Sequence, residues 1–462
     1  MEPQRESTGC GYGSRPPTAV PRHRPPPHSH AAPTPSRRPW PGCRCKRGPW
    51  SSTSRCSAVT NHCTSAWEPT CRRRGGARHD GPRDTRTAWW NSTRNRWSDM
   101  TRILQITPYY PPQLGGVERV AESLAAGLGR RHDVRVVTTT IGARTVPRFL
   151  RTAGVTVRRH RAVEFAHTPL APGLLVSLLR EPRTSILHLH AAQAGLPELV
   201  ALVARARRQP FVFHFHLDVD ASGRLGRLLP LYKRHALGRV LRAAAAVIVL
   251  TEAQSSFVRD AYGVRAERVF IVPNGVDRAY FMAAREITHR PLRLLFVGRL
   301  SVQKNIGRLL DAMSLVRQPV ELRIVGDGEQ RELLEARVAR LGLTNVTFAG
   351  RRLGPDLVRS YADVDMFVLP SDKEGMSLAA LEAMAAALPI VATAVPGNTE
   401  LLDGVGLLAD PDPVALAAAI SAVADDPALR LRLSRQSASA ATGYSWDAVV
   451  RRVEDIYAEV LP

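Results

Sequence analysis

Short apolar runs alternate with amphipathic helical stretches from Ile103 to Ala394, and the alternation is played through twice. Strands buried on both faces read as continuous Val, Ile, Leu and Phe runs, and a parallel neighbour can be reached only through a crossover that is usually a helix. The first series predicts strands at Ile103 to Thr107, Val134 to Thr139, Val155 to Arg158, Ile186 to His190, Phe211 to His216, Ala246 to Leu250 and Val269 to Val272. The second restarts at Leu292 to Val297 and continues at Val320 to Val325, Val346 to Phe348, Met366 to Leu369 and Ile390 to Ala394. Polar, charge-mixed Asp277 to Arg290 lacks strand character and separates the two series. The expectation is an α/β protein of two Rossmann-like domains, 100–280 and 281–444, facing across a cleft, with a terminal helical segment at 445–462. Ligands of such sheets bind at the carboxyl ends of the strands, so the cleft is the expected site.

The first 99 residues contain no Leu, Ile or Phe, and without apolar area to bury they cannot offset the entropy of ordering. They are expected to be a disordered basic leader, with 18 Lys+Arg against 6 Asp+Glu, compared with 46 against 35 in the remainder. All six cysteines lie there, but Cys43-x-Cys45 and the irregular later spacings do not suit a zinc site. Three readings compete: a tail that touches nucleic acid or anionic lipid, an organelle-type targeting segment, or upstream sequence translated from a start-site error. The last is preferred, because Met100 stands directly before the first strand. The leader is then dispensable for folding and catalysis, which the melting temperature and turnover of a chain begun at Met100 would test. The cysteine-free remainder fits a reducing cytosol. Its apolar stretches fall short of the ~20 residues that span a bilayer, so a soluble or peripheral protein is expected.

Gly326-Asp-Gly328 follows a strand, but a dinucleotide fingerprint needs a glycine where Arg331 stands, and no Walker A sequence is present. Val297-Gly-Arg-Leu-Ser-Val-Gln-Lys-Asn305 carries Arg299 and Lys304 out of a strand and into a helix. Two cations at a helix N-terminus suit a diphosphate, and two solvated loop charges are the plain alternative. Further on, Glu374 lies at a strand-to-helix turn. Glu382, eight residues later, sits in a helix otherwise built of Ala, Leu and Met, on the side of that turn. A carboxylate in such surroundings wants hydroxyl or cationic partners.

The run Pro370 to Pro389 resembles the E-x7-E element of retaining glycosyltransferases of the two-domain GT-B fold, specifically glycosyltransferase family 4, and the resemblance extends over essentially 101–459. It implies that Glu374 holds hydroxyls of the transferred sugar, that Gly375 and Met376 offer backbone N–H groups, that Ser377 and Leu378 border the donor, and that Glu382 grips the ribose. Arg299 and Lys304 match the pair that neutralises the departing diphosphate. Tyr110-Pro-Pro-Gln-Leu-Gly-Gly-Val-Glu118 is similar to the family's glycine loop, in which Gly115 and Gly116 let backbone approach the phosphate and acceptor. Val272-Pro-Asn-Gly-Val-Asp277 matches the hinge element, and Ser445 to Tyr457 looks like the terminal helix that crosses back. Many members have Phe-Gly where this chain has Met376-Ser377.

His188, His190, His214 and His216 end two strands on alternate positions, which face one side. His216 resembles the active-centre histidine, with His214 as runner-up, while His188 and His190 are read as packing or polar lining. The resemblance implies a metal-independent enzyme without a cofactor, taking a nucleotide-diphosphate sugar as donor substrate. Asp218-Val-Asp220 and Asp363-Val-Asp365 mimic a metal-binding D-x-D, but neither is read as a metal site, and the second pair is expected to be a solvated cap before a strand. The basic amphipathic stretch Leu225 to Arg242 could present a lipid-linked acceptor at the inner face of a membrane, or be an ordinary surface helix. Rival classes are a sugar-nucleotide epimerase or phosphorylase on the same fold, and a nucleic-acid or membrane binder acting through net charge +23. Half of that charge lies in the leader, and no base-stacking aromatic pattern follows Met100, so no nucleic-acid partner is expected.

Overall fold

A computed structural model describes residues 101–460 apart from 114, 144, 153, 166–167, 192–194, 217–228 and 285–288, all within the unit Asp80–Pro462. The leader, Asp218-Val-Asp220 and the start of the 225–242 stretch therefore lie outside the described residues.

The first lobe is built on an eight-stranded sheet of order β10-β9-β8-β7-β1-β2-β4-β3. Its strands are β1 (Arg102–Ile106), β2 (Asp133–Thr139), β3 (Phe149–Thr152), β4 (Val155–His160), β7 (Ile186–Ala191), β8 (Phe211–Phe215), β9 (Ala246–Val249) and β10 (Val269–Ile271). All pairings are parallel except β3 with β4. Between β4 and β7 a small antiparallel hairpin, β5 (Val163–Phe165) with β6 (Thr168–Leu170), leads into the helix Pro172–Arg180. The second lobe has a six-stranded, wholly parallel sheet of order β13-β12-β11-β14-β15-β16. These are β11 (Leu292–Val297), β12 (Val320–Val325), β13 (Val346–Gly350), β14 (Met366–Leu369), β15 (Ile390–Thr393) and β16 (Leu407–Ala409).

The apolar runs became strands because both faces of each sheet are covered. Leu104, Leu187, Leu189, Phe211 and Phe213 pack under the helices Pro172–Arg180 and Leu196–Arg207, whereas Ile103, Val134, Val136, Ile186 and Val212 face the other way. That second face is closed by the helix Gly116–Leu128 and by the last helix, Trp446–Val460, which contributes Val449, Val450, Val453, Ile456 and Tyr457. The segments missed by the pattern are short or exposed. All four residues of β3 are exposed, β5 and β6 are three residues each, and β16 is a three-residue edge. Of the 225–242 stretch, the described part is helical through a π turn at Lys233–Leu237, with Val240 and Leu241 buried and Arg234, Arg239 and Arg242 exposed. Among the described residues no helix is long and apolar enough to cross a membrane.

Candidate active site

In the second sheet β11 and β14 are neighbours although two strands intervene in the chain. Connections leave such a pair in opposite directions, and a crevice opens at their carboxyl ends. Arg299 and Lys304 follow β11, and Ser371 and Glu374 follow β14. The Lys304 ammonium donates to Glu374 Oε1 at 2.6 Å, and the Ser371 hydroxyl donates to the same oxygen at 2.6 Å. Arg308 and Asn305, at the start of the helix Ile306–Leu315, donate to Asp372 at 2.6 and 3.0 Å and so tie the two loops together. Arg299 stands apart: its Nε donates to Glu329 at 3.1 Å, and its side chain is 68% exposed. The two cations that looked like one clamp are thus divided between different carboxylates.

Glu382 lies in the helix Leu378–Ala385, whose N-terminus is capped by the Ser377 hydroxyl accepting from the Ala380 amide at 3.3 Å. That bond gives Ser377 a structural task besides any contact with a donor, while Leu378 opens the helix half-buried. Glu382 is only 3% exposed, and its carboxylate is held by side chains from three segments. Arg119 of the first lobe ion-pairs with Oε1, and Tyr361 donates its hydroxyl to Oε2 at 2.7 Å. Tyr280, in the short 3-10 turn Arg278–Tyr280 that joins the lobes, reaches both Arg119 and Glu382 and meets the Tyr361 ring edge-on at 5.5 Å. Burial first, then the charge of Glu382, pushes the Tyr280 and Tyr361 hydroxyls above their ordinary value, so both remain O–H donors.

Backbone approach is tight where the loops meet. A Cβ on Gly397, in the helix Pro396–Leu402, would stand 2.3 Å from the Glu374 carbonyl oxygen, so glycine there is what lets that helix support the Glu374-Gly375 turn. Met376 is held from the hinge element: Asn274 Nδ2 donates to its carbonyl at 3.1 Å, and the Asn274 amide meets its sulfur at 3.2 Å. In the first lobe, Gly115 caps the helix Gly116–Leu128 in extended conformation, and a Cβ on Gly116 would meet nothing within 4 Å. Glu118, one turn into that helix, is raised by burial and held down by the charge of Arg299 across the cleft.

The four histidines form one stacked column at the carboxyl ends of β7 and β8, where His190 and His214 are register partners. Centroids of His188 and His190, His190 and His214, and His214 and His216 are 4.5, 5.0 and 4.3 Å apart. Tyr457 of the last helix meets His188 Nδ1 at 2.5 Å, His188 Nε2 meets His214 Nδ1 at 3.2 Å, and His190 Nδ1 meets His216 Nε2 at 3.0 Å. Nitrogens of His188, His190 and His214 lie within 4.8 Å of one another. Tetrahedral zinc at ~2.0–2.1 Å from each nitrogen needs them ~3.3 Å apart and converging. His190 stacks on His188 and His214 at 19 and 29°, which sends its lone pairs alongside theirs, while His188 and His214 are tilted at 45° and linked by their own hydrogen bond. As it stands the column is a hydrogen-bonded stack.

Burial holds these imidazoles neutral, with His188 and His216 lowered to about 3 and His190 and His214 well below their ordinary value. Below the ordinary value the unfolded chain takes up protons that the folded chain refuses, so stability is lost as pH falls. The loss should set in as pH falls below about 6.5 and, for His188 and His216, continue towards about 3. A melting temperature that falls from pH 7.5 to 5.0, with a shallower fall for His190→Gln, is the expected result. An equal slope in both proteins would show that the column does not titrate this way.

One sequence reading changes here. Asp365 is not a solvated cap: it is 1% exposed, accepts from the Arg293 amide at 2.8 Å and pairs with His289 at 2.6 Å, pinning β11 to β14. Asp363 alone is exposed. The residues that sequence reasoning did not single out are Arg119, Tyr280, Tyr361 and Gly397, with Asn274 seen only as part of the hinge run. Arg119 adjoins the glycine-loop run, which was its one signal, and nothing local distinguishes Tyr361.

Residues 114–280 match the family described as Glycosyltransferase Family 4, and residues 291–426 match the one described as Glycosyl transferases group 1. An uncharacterised glycosyltransferase of Methanocaldococcus jannaschii is 27% identical over 390 residues, covering 77% of this chain and 97% of that protein. A D-inositol 3-phosphate glycosyltransferase of Pseudarthrobacter chlorophenolicus is 30% identical over 308 residues, covering 60% and 73%. The crystal structure of Anabaena Alr3699/HepE with UDP-glucose superposes with a TM-score of 0.62 at 22% identity, covering 78% of this chain and 99% of that one. The fold they share is GT-B.

Proposed function

We propose that this chain, which belongs to glycosyltransferase family 4 of the group 1 glycosyl transferases, moves a sugar from a nucleotide-diphosphate sugar to a hydroxyl acceptor with retention at the anomeric carbon. The observation that carries this reading is the grouping, at the carboxyl ends of β11 and β14, of the Lys304–Glu374 pair, with buried Glu382 in the helix that follows. Lys304, Arg299 and the start of the helix Ile306–Leu315 stabilise the charge that grows on the departing diphosphate. Glu374 holds sugar hydroxyls, Glu382 holds the ribose, and Gly115 and Gly116 leave room for phosphate and acceptor at the first lobe. No second carboxylate stands as a nucleophile in this reading. The acceptor oxygen attacks C1 on the face that the diphosphate vacates, the C1–O bond to the diphosphate breaks, and a phosphate oxygen takes the acceptor proton. His216, held neutral, orients groups near the ring, and lobe closure excludes water that would hydrolyse the donor.

The donor class is supported by the UDP-glucose bound in the Anabaena neighbour. A cytoplasmic enzyme in peripheral contact with a membrane, using a lipid-linked acceptor for glycan, glycolipid or cell-envelope polysaccharide synthesis, is the acceptor reading. Its support is an exposed apolar face, with Leu175, Val176 and Leu179 on one helix and Val163 and Leu170 on the hairpin before it, near exposed Arg161, Arg180 and Arg183.

One screen tests the whole reading: hydrolysis of UDP-, GDP- and ADP-sugars, with and without EDTA and with anionic or zwitterionic vesicles. One donor class should turn over, EDTA should leave the rate unchanged, and the protein should float with anionic vesicles only. Turnover of none of the three sinks the donor reading. Loss of activity in EDTA that Mn²⁺ restores overturns metal independence, and failure to float removes the membrane.

A further inference from the structure

Among the described residues, several polar contacts join the lobes around the cleft. Arg351 donates to the Pro112 carbonyl at 3.2 Å, Glu400 accepts from the amides of Glu252 and Ala253, Asn274 holds Met376, and Arg119 pairs with Glu382. Arg119–Glu382 is the one among them that ties the first lobe by charge to a residue read as holding the nucleotide. The pair is lopsided: the Arg119 side chain keeps 36% of its surface exposed, while that of Glu382 keeps 4%. The carboxylate is therefore the enclosed member of the pair, and the guanidinium is the one that solvent reaches.

We propose that Arg119 is a positioning residue that closes the lobes on bound nucleotide by engaging the same carboxylate that takes the ribose. This rests on the reading of Glu382 as the ribose ligand. Lone-pair arithmetic allows both at once. A carboxylate has about four acceptor sites; Arg119, Tyr361 and Tyr280 each occupy one, which leaves one for a ribose hydroxyl. Geometry makes the contact consequential. Arg119 stands in the first turn of the helix that Gly115 caps, so the glycine loop and the guanidinium move as one rigid piece. Bringing Arg119 to Glu382 brings Gly115 and Gly116 to the donor. Tyr280, at the junction of the lobes, reaches both members of the pair. Nucleotide can bind the second lobe without Arg119, but the assembled site cannot form without it.

The test uses the full chain and its variants Arg119→Gln, Arg119→Lys and Glu382→Gln. Affinities for UDP, GDP and ADP are measured by calorimetry, and turnover is measured with the diphosphoglucose of the nucleotide that binds most tightly. Arg119→Gln should change nucleotide affinity by less than about threefold while lowering kcat by about tenfold or more, because closure and not ground-state binding is impaired. Arg119→Lys, which keeps the charge, should recover part of that loss. If Arg119→Gln does not fold, the lysine variant carries the same comparison. Affinity that falls in step with kcat would make Arg119 an ordinary ligand contact, and kcat within threefold of the unsubstituted chain, or a lysine variant no better than glutamine, would equally overturn the proposal. Glu382→Gln separates the premise: unchanged nucleotide affinity there removes the ribose reading whatever Arg119 does. Binding of none of the three nucleotides defeats the donor reading itself.

Discussion

Replacing Lys304 by alanine is expected to cut turnover by about 10²- to 10³-fold, the cost of removing one preorganised electrostatic group from an active site. Donor affinity should fall much less, because in the proposed reaction the charge that Lys304 meets grows as the diphosphate departs and is larger in the transition state than in the bound donor. The contact with Glu374 sharpens the expectation. At 2.6 Å from Glu374 Oε1, the ammonium both neutralises that carboxylate and aims it, so its loss leaves Oε1 to the Ser371 hydroxyl among the described residues. Steady-state kinetics on the donor class found by the screen would read kcat and KM separately. Equal loss in both would reduce Lys304 to a ground-state binder.

The largest expected effect on stability is at Gly326. Its φ is +145°, a conformation essentially reserved for glycine, and a Cβ there would stand 1.8 Å from the carbonyl oxygen of Gly298. Gly328 is similarly close to Leu300, at 2.5 Å from its carbonyl. The Gly-Asp-Gly turn therefore serves as a bed on which the Arg299 loop lies backbone to backbone. Gly326→Ala should cost about 3 to 5 kcal/mol, combining backbone strain with a clash that only main-chain movement relieves. Gly342→Ala is the control, since φ is +65° but nothing lies within 4 Å, and a loss of about 1 kcal/mol is expected. Denaturant midpoints of the two variants should differ widely. Similar midpoints would show that the turn can relax.

Legibility in the sequence followed burial on two faces. The strands Leu292–Val297, Val320–Val325 and Met366–Leu369 emerged with the bounds that the apolar runs predict, because both flanks of each are covered. Phe149–Thr152 was invisible, since an exposed edge strand has no core-facing period to betray it. Glu374 and Glu382 could be picked out because a carboxylate is conspicuous among Ala, Leu and Met. Arg119, Tyr280 and Tyr361 could not, because their meaning comes from an encounter between three segments far apart in the chain. Asp365 misled for a related reason: its partners, His289 and the Arg293 amide, lie more than seventy residues away.

The last helix changes the order in which this protein can be finished. Val449, Val450, Val453, Ile456 and Tyr457 complete the core of the lobe whose first strand begins at Arg102. On a ribosome the second lobe can fold while these residues are still inside the exit tunnel, whereas the first lobe must wait for them. Until then one face of β1, β7 and β8, the histidine column included, has no cover from the helix Trp446–Val460. The lobe made first is completed last, and a nascent chain halted a dozen residues early would carry a finished second lobe beside an unfinished first one.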